Sequence, residues 1–103
     1  MSHVNIYGAD LWVQTPSRRI IRVEVKTSSV AIKGQRGGIN GAGSLTYRFG
    51  SFYTDPDHVD AVIYVALDIG LILVRDPRDP RSKMSPNNFT PDRQDETIRR
   101  FFY

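Results

Sequence analysis

Three residues stand out for the chemistry their types and spacing allow: Asp10, Glu24 and Lys26. Glu24 and Lys26 flank Val25 in a run, Ile20–Thr27, that alternates apolar and polar residues. In an extended strand the period of two sends Glu24 and Lys26 to one face and Val25 to the other. Asp10 lies 14 residues before Glu24, across the turn signal Thr15-Pro16-Ser17, so a hairpin brings the two acids together. Two carboxylates aimed at one point repel unless a cation lies between them. Mg²⁺ suits such a place, taking Asp10, Glu24, the Val25 backbone carbonyl, and then waters and phosphate. It would acidify an attacking water and neutralise charge on a phosphoryl transition state. Lys26 would add a fixed positive charge beside it. Glu and Lys at i and i+2 also occur on any solvent-facing strand, so Glu-x-Lys by itself is a weak signal; the Asp on its own strand strengthens it.

The elements that must position these residues are legible to differing degrees. Ala9–Gln14 reads as a strand with Leu11 and Val13 on one face and Asp10 and Trp12 on the other. Ile20–Thr27 puts Ile21, Val23 and Val25 on one side and Ile20, Arg22, Glu24 and Lys26 on the other. His3–Tyr7 and Leu45–Phe49 read as short strands, and Val59–Leu67 and Leu71–Val74 as buried ones joined near Asp68-Ile69-Gly70. Lys33–Ser44 holds five glycines and reads as a loop carrying Lys33 and Arg36. Arg75–Pro91, with four prolines, reads as a further loop. Thr90-Pro91 then starts a helix as N-cap and first-turn proline, and Ile98, Phe101 and Phe102 form its apolar stripe. That stripe is expected to pack on the sheet of its own or a neighbouring subunit. The fold class is α/β: one domain over residues 1–103, a small mixed sheet with few helices, closed by a proline-rich loop and C-terminal helix over 75–103.

Composition narrows the function classes. At 103 residues the chain is one domain at most. It has no cysteine, which excludes disulfides, thiolate metal sites and a cysteine nucleophile. No apolar run approaches a membrane span, and Met1–Tyr7 has no signal-peptide pattern, so the expected compartment is the cytoplasm, the host's if the chain is phage-encoded. The net charge of +3 is unevenly spread. Residues 1–54 hold seven Lys/Arg against two acids, Asp10 and Glu24, a formal +5; residues 55–103 hold seven against nine, a formal −2. The first half is a basic field suited to a polyanion, with Arg18, Arg19, Arg22, Lys33, Arg36 and Arg48 as the expected DNA-facing set.

Other residues have structural readings. Trp12 is expected to pack, in the core or against another subunit, more than to stack on a base. His58 is expected to cap a loop. Asp55, Asp57 and Asp60 do not make a calcium loop, because Pro56 interrupts the pattern and no bidentate Glu follows. Gly34–Gly43 has no Gly-Lys-Ser/Thr to close a phosphate loop.

Taken together, Gly8-Ala9-Asp10-Leu11, Val23-Glu24-Val25-Lys26-Thr27-Ser28-Ser29, Tyr47-Arg48-Phe49 and Asp57-His58-Val59-Asp60-Ala61-Val62-Ile63-Tyr64-Val65 resemble the PD-(D/E)xK endonuclease superfamily over roughly residues 5–76. The similarity is greatest to its Holliday-junction resolvase-like and homing-endonuclease branch. The resemblance implies a restriction-endonuclease-like αβββαβ core, Mg²⁺ or Mn²⁺, and hydrolysis of DNA phosphodiesters. Asp10 and Glu24 would be metal ligands and Lys26 the catalytic lysine. Ala9 stands where the family often has proline, and only a few residues precede the first strand, where the family has a helix that often supplies another acid. A minimal or truncated core completed by a homodimer or a partner subunit is therefore expected, with Glu96 standing in for the helix acid. The alternative is a non-catalytic DNA- or protein-binding module, such as a phage accessory protein or inhibitor, on a degenerate core.

Overall fold

A computed structural model describes residues 9–33, 44–50 and 54–103. Its main sheet has four strands in the order β1-β2-β5-β6: β1 is Leu11–Gln14, β2 Ile20–Ser28, β5 Ala61–Ala66 and β6 Leu71–Arg75. β1 pairs antiparallel with β2, β2 parallel with β5, and β5 antiparallel with β6, so the sheet is mixed. A second sheet joins β3 (Ile32–Lys33), β4 (Leu45–Arg48) and β7 (Lys83–Met84). A 3₁₀ turn at Pro86–Asn88 leads to the helix α1, Pro91–Phe102. The fold is therefore mixed α/β, as the sequence pattern indicates. No helix among the described residues is long and apolar enough to cross a membrane.

Each main-sheet strand forms for a local reason. The β1–β2 hairpin turns through Thr15–Arg19. The Arg18 N–H donates to the Thr15 carbonyl at 2.8 Å and the Thr15 N–H to the Arg19 carbonyl at 2.9 Å. Arg18 closes the turn at φ +69°, a left-handed conformation typical of a three-residue hairpin loop. β5 is an unbroken apolar run because both its faces are covered. Val62, Tyr64 and Ala66 join Tyr47, Phe49, Val59, Leu73, Met84 and Phe89 in the larger core cluster, beneath the second sheet. On the opposite face Ala61 joins Ile21, Val23 and Val74, and Ile98, Phe101 and Phe102 of α1 pack against them. The layers are helix, main sheet, small sheet.

Two strands running parallel need a long crossover between them. Here the connection from β2 to β5 carries β3 and β4, so strands occupy the place a helix often takes. The helix begins as its sequence indicates: Thr90 is the N-cap, its side chain accepting from the Arg93 N–H at 3.1 Å, and Pro91 occupies the first turn. The stretch 75–91 is not wholly loop. Met84 and Phe89 are buried in the larger cluster, and this anchoring holds β7 against β4 although two residues carry no readable periodicity. The expected strand His3–Tyr7 and most of the glycine-rich stretch, with Arg36, lie outside the described residues.

Candidate active site

The hairpin places Asp10 beside the second half of β2. The register pairs Leu11 with Val23, so Asp10, one residue before β1, comes level with the Glu-x-Lys segment. Its backbone N–H donates to the Val23 carbonyl at 2.7 Å, and its Oδ2 accepts from the Val25 N–H at 2.7 Å. Within a strand a residue's N–H and C=O point to the same side, so the Val25 carbonyl lies on the edge that Asp10 occupies. Glu24 and Lys26 sit on the same face of β2, and Lys26 Nζ contacts Glu24 Oε2 at 3.1 Å.

That face is not solvated throughout, as a simple alternating strand would be. Lys26 is buried, its side chain only 7% exposed, and Glu24 is 15% exposed. Lys26 stands in register with Tyr64, a fully buried member of the larger cluster. Its ammonium is therefore held under the crossover layer with a carboxylate against it, where a charge is weakly screened. Ser28, the next residue on this face, accepts from the Arg48 N–H at 3.2 Å through Oγ. This bond ties the end of β4 to the site and brings the exposed Arg48 next to it. Ser28 and Tyr64 are site residues that sequence reasoning missed. Only the parallel pairing of β2 with β5 reveals them, and no local pattern encodes that pairing.

The oxygen donors present, two carboxylates and one backbone carbonyl, suit a hard cation that keeps several waters, as Mg²⁺ does. Among the described residues no group of three or more His, Cys, Asp or Glu side chains is placed to share a metal, so any ion here would rely on Asp10, Glu24 and the Val25 carbonyl. Glu96 does not add to them. It lies on α1, across the sheet from the Glu24 face, and pairs with Arg100 at 3.3 Å. The helix covers the Ile21/Val23 face, and the period of two puts Glu24 on the other.

The expected DNA-facing residues are not gathered in one place. Arg48 lies beside Ser28. Lys33, in β3, is exposed and pairs with Leu45 at the other end of β4. Arg18 and Arg19 occupy the hairpin turn, six and five residues from Glu24 along β2, about 20 Å for an extended chain. Arg19 also donates through Nη2 to the Tyr103 carbonyl at 3.2 Å. Arg22 is committed internally. It donates to both oxygens of Asp60, Nε to Oδ2 at 3.0 Å and Nη2 to Oδ1 at 2.9 Å, and through Nη1 to the Asp57 carbonyl at 3.1 Å. Its hydrogen bond to Asp60 raises the guanidinium pKa, and the same bond holds the Asp60 carboxyl below its ordinary value.

His58 caps a turn: its Nδ1 lies 2.7 Å from Asp55 Oδ2, and its N–H donates to the Asp55 carbonyl. Trp12 does not pack in the core, being 70% exposed. No family model, curated protein or solved structure matches the chain.

Proposed function

We propose that the chain is a Mg²⁺-dependent endonuclease that hydrolyses DNA phosphodiester bonds at Asp10, Glu24 and Lys26. The observation that carries the reading is the reach of the Asp10 carboxylate to the Val25 N–H. It places an acid from one strand beside the Glu24–Lys26 pair of the next. Asp10, Glu24 and the Val25 carbonyl would hold the ion, and bound there it would lower the pKa of a water and offset phosphoryl charge. Lys26, oriented by Glu24, would direct a positive charge at the non-bridging phosphate oxygens. Arg48 would hold the backbone next to the scissile bond. A homodimer would set a second site against the second strand.

The same contacts favour a second reading. Asp10–Val25 and Glu24–Lys26 also serve the fold, as they would in a binding module that does not cut. Plasmid nicking in Mg²⁺ and in EDTA separates the two. Nicking by the parent that EDTA abolishes and that Asp10→Ala and Glu24→Ala both lack supports the nuclease. Folded variants that nick as the parent does would remove these residues from the chemistry.

A further inference from the structure

Trp12 is the sole tryptophan of the chain, and it stands 70% exposed on a β-strand. A side chain of this size forfeits substantial apolar burial when left in water. No other aromatic ring among the described residues lies against it. Its place is specific: it lies two residues along the chain from Asp10, a separation of about 7 Å, and shares a face of the hairpin with Arg22 and Glu24. In register it faces Arg22, and Ile20, diagonally across the hairpin, is also exposed.

We propose that Trp12 is a stacking platform for an unpaired nucleobase next to the scissile phosphate, so that the favoured substrate is single-stranded or locally unpaired DNA. The inference rests on the nuclease reading for the position of the phosphate. Three features select a nucleotide as the occupant. Arg18 and Arg19, exposed at the turn of the same hairpin, complement a polyanion, while Arg22 across the strand pair is neutralised by Asp60. β1 itself, Leu-Trp-Val-Gln, carries no charge, so nothing on it competes with a base for the indole face. The distance from Asp10 is within the reach of one nucleotide. In a duplex the base faces are stacked on their neighbours and are not offered to an indole. An unpaired base offers both, and stacking of this kind tolerates any sequence.

The full chain carries its own reporter, because all indole emission comes from Trp12. Titration in EDTA with a short oligothymidylate and with a blunt duplex, followed by intrinsic fluorescence, should show saturable quenching by the single strand and little by the duplex. Labelled-oligonucleotide anisotropy should show Trp12→Ala losing about 5- to 150-fold in single-strand affinity, the range that one base–aromatic stack supports, with duplex affinity changed less than twofold. Trp12→Phe should recover most of the loss. Equal losses on both DNAs, or single-strand binding without quenching, would overturn the proposal. So would a concentration-dependent emission shift that tracks dimer formation in sedimentation, together with loss of the dimer in Trp12→Ala, since Trp12 would then be covered by a second copy. Because binding is read without metal, selective stacking without Mg²⁺-dependent nicking would sink only the cutting reading. Nicking that needs Asp10 and Glu24 but ignores Trp12→Ala would sink only this one.

Discussion

Asp10 holds Val25 by its side chain: Oδ2 accepts the Val25 N–H at 2.7 Å, while the Asp10 N–H donates to the Val23 carbonyl at the same distance. The carboxylate thus adds one rung to the β1–β2 ladder just where the strand pairing begins. A side chain at this rung can serve the fold, the chemistry or both, and the two roles respond differently to substitution.

Asp10→Asn retains a carbonyl oxygen for the Val25 N–H but removes the charge. It should stay within about 0.5 kcal/mol of the parent in urea unfolding. Asp10→Ala loses the bond outright and should cost about 1 kcal/mol, below the usual range for a bond to a charged group because the site is exposed. Both variants should fail to nick plasmid in Mg²⁺. Full nicking by Asp10→Asn would mean that the residue is a rung and nothing more.

Lys26 permits a comparable separation. Removing one member of a buried ion pair strands the other charge and costs about 3–5 kcal/mol, and Glu24, only 15% exposed, reaches water in part. Lys26→Met should therefore destabilise the fold by up to about 3–5 kcal/mol, so nicking is read at a temperature where circular dichroism shows the variant folded. If Lys26 stabilises the transition state, nicking by the folded variant should fall by about 10²-fold or more. A folded Lys26→Met protein with unchanged nicking would assign the lysine to structure.

The sequence made the β1–β2 hairpin, β5, β6 and α1 legible because each has strong local periodicity or a specific cap. It did not reveal what lies over Lys26. That depends on β2 pairing in parallel with β5, Val23 with Ala61, 38 positions on, and on a crossover that carries β3 and β4. For the same reason Arg22 read as a surface charge: its partner Asp60 is 38 residues away. The helical pattern puts Glu96 on α1, but nothing local says which face of the sheet that helix covers.

The Arg22–Asp60 pair makes a pH prediction. The Asp60 carboxyl titrates below its ordinary 3.8 in the folded chain, first through its hydrogen bond to Arg22. A depressed carboxylate stabilises the fold above its unfolded pKa and loses that contribution as pH falls through the folded one. Thermal unfolding from pH 6 down to pH 2 should therefore show the parent's advantage over Asp60→Asn shrinking below about pH 4. Arg22→Ala should likewise lower stability at neutral pH while leaving the log–log salt slope of DNA binding unchanged. Arg48→Ala should reduce that slope by the worth of one phosphate contact, about 0.9 on duplex and about 0.7 on single-stranded DNA. A reduced slope for Arg22→Ala would restore that arginine to the DNA surface.

The helix does more than cover apolar surface. β6 lies at the sheet's edge, and the N–H groups of Ile72 and Val74 turn away from β5. Gln94 Oε1 accepts the first at 2.8 Å and Thr97 Oγ1 the second at 3.1 Å. Thr97 is buried, and its hydroxyl also donates to the Gln94 carbonyl at 3.3 Å. Two polar side chains therefore satisfy the edge that would otherwise invite another strand. Thr97→Val keeps shape and volume but leaves the Val74 N–H buried without an acceptor, a loss of about 1–3 kcal/mol. For a domain of this size that lowers Tm by roughly 5–15 °C. Thr97→Ser keeps the hydroxyl and should recover most of the loss. Gln94→Ala opens the more exposed end of the edge, so its effect should be smaller in Tm and larger in aggregation on heating, read by light scattering. Equal melting of Thr97→Val and the parent would show that packing of Ile98, Phe101 and Phe102 alone holds the helix, and that the edge bonds add nothing measurable.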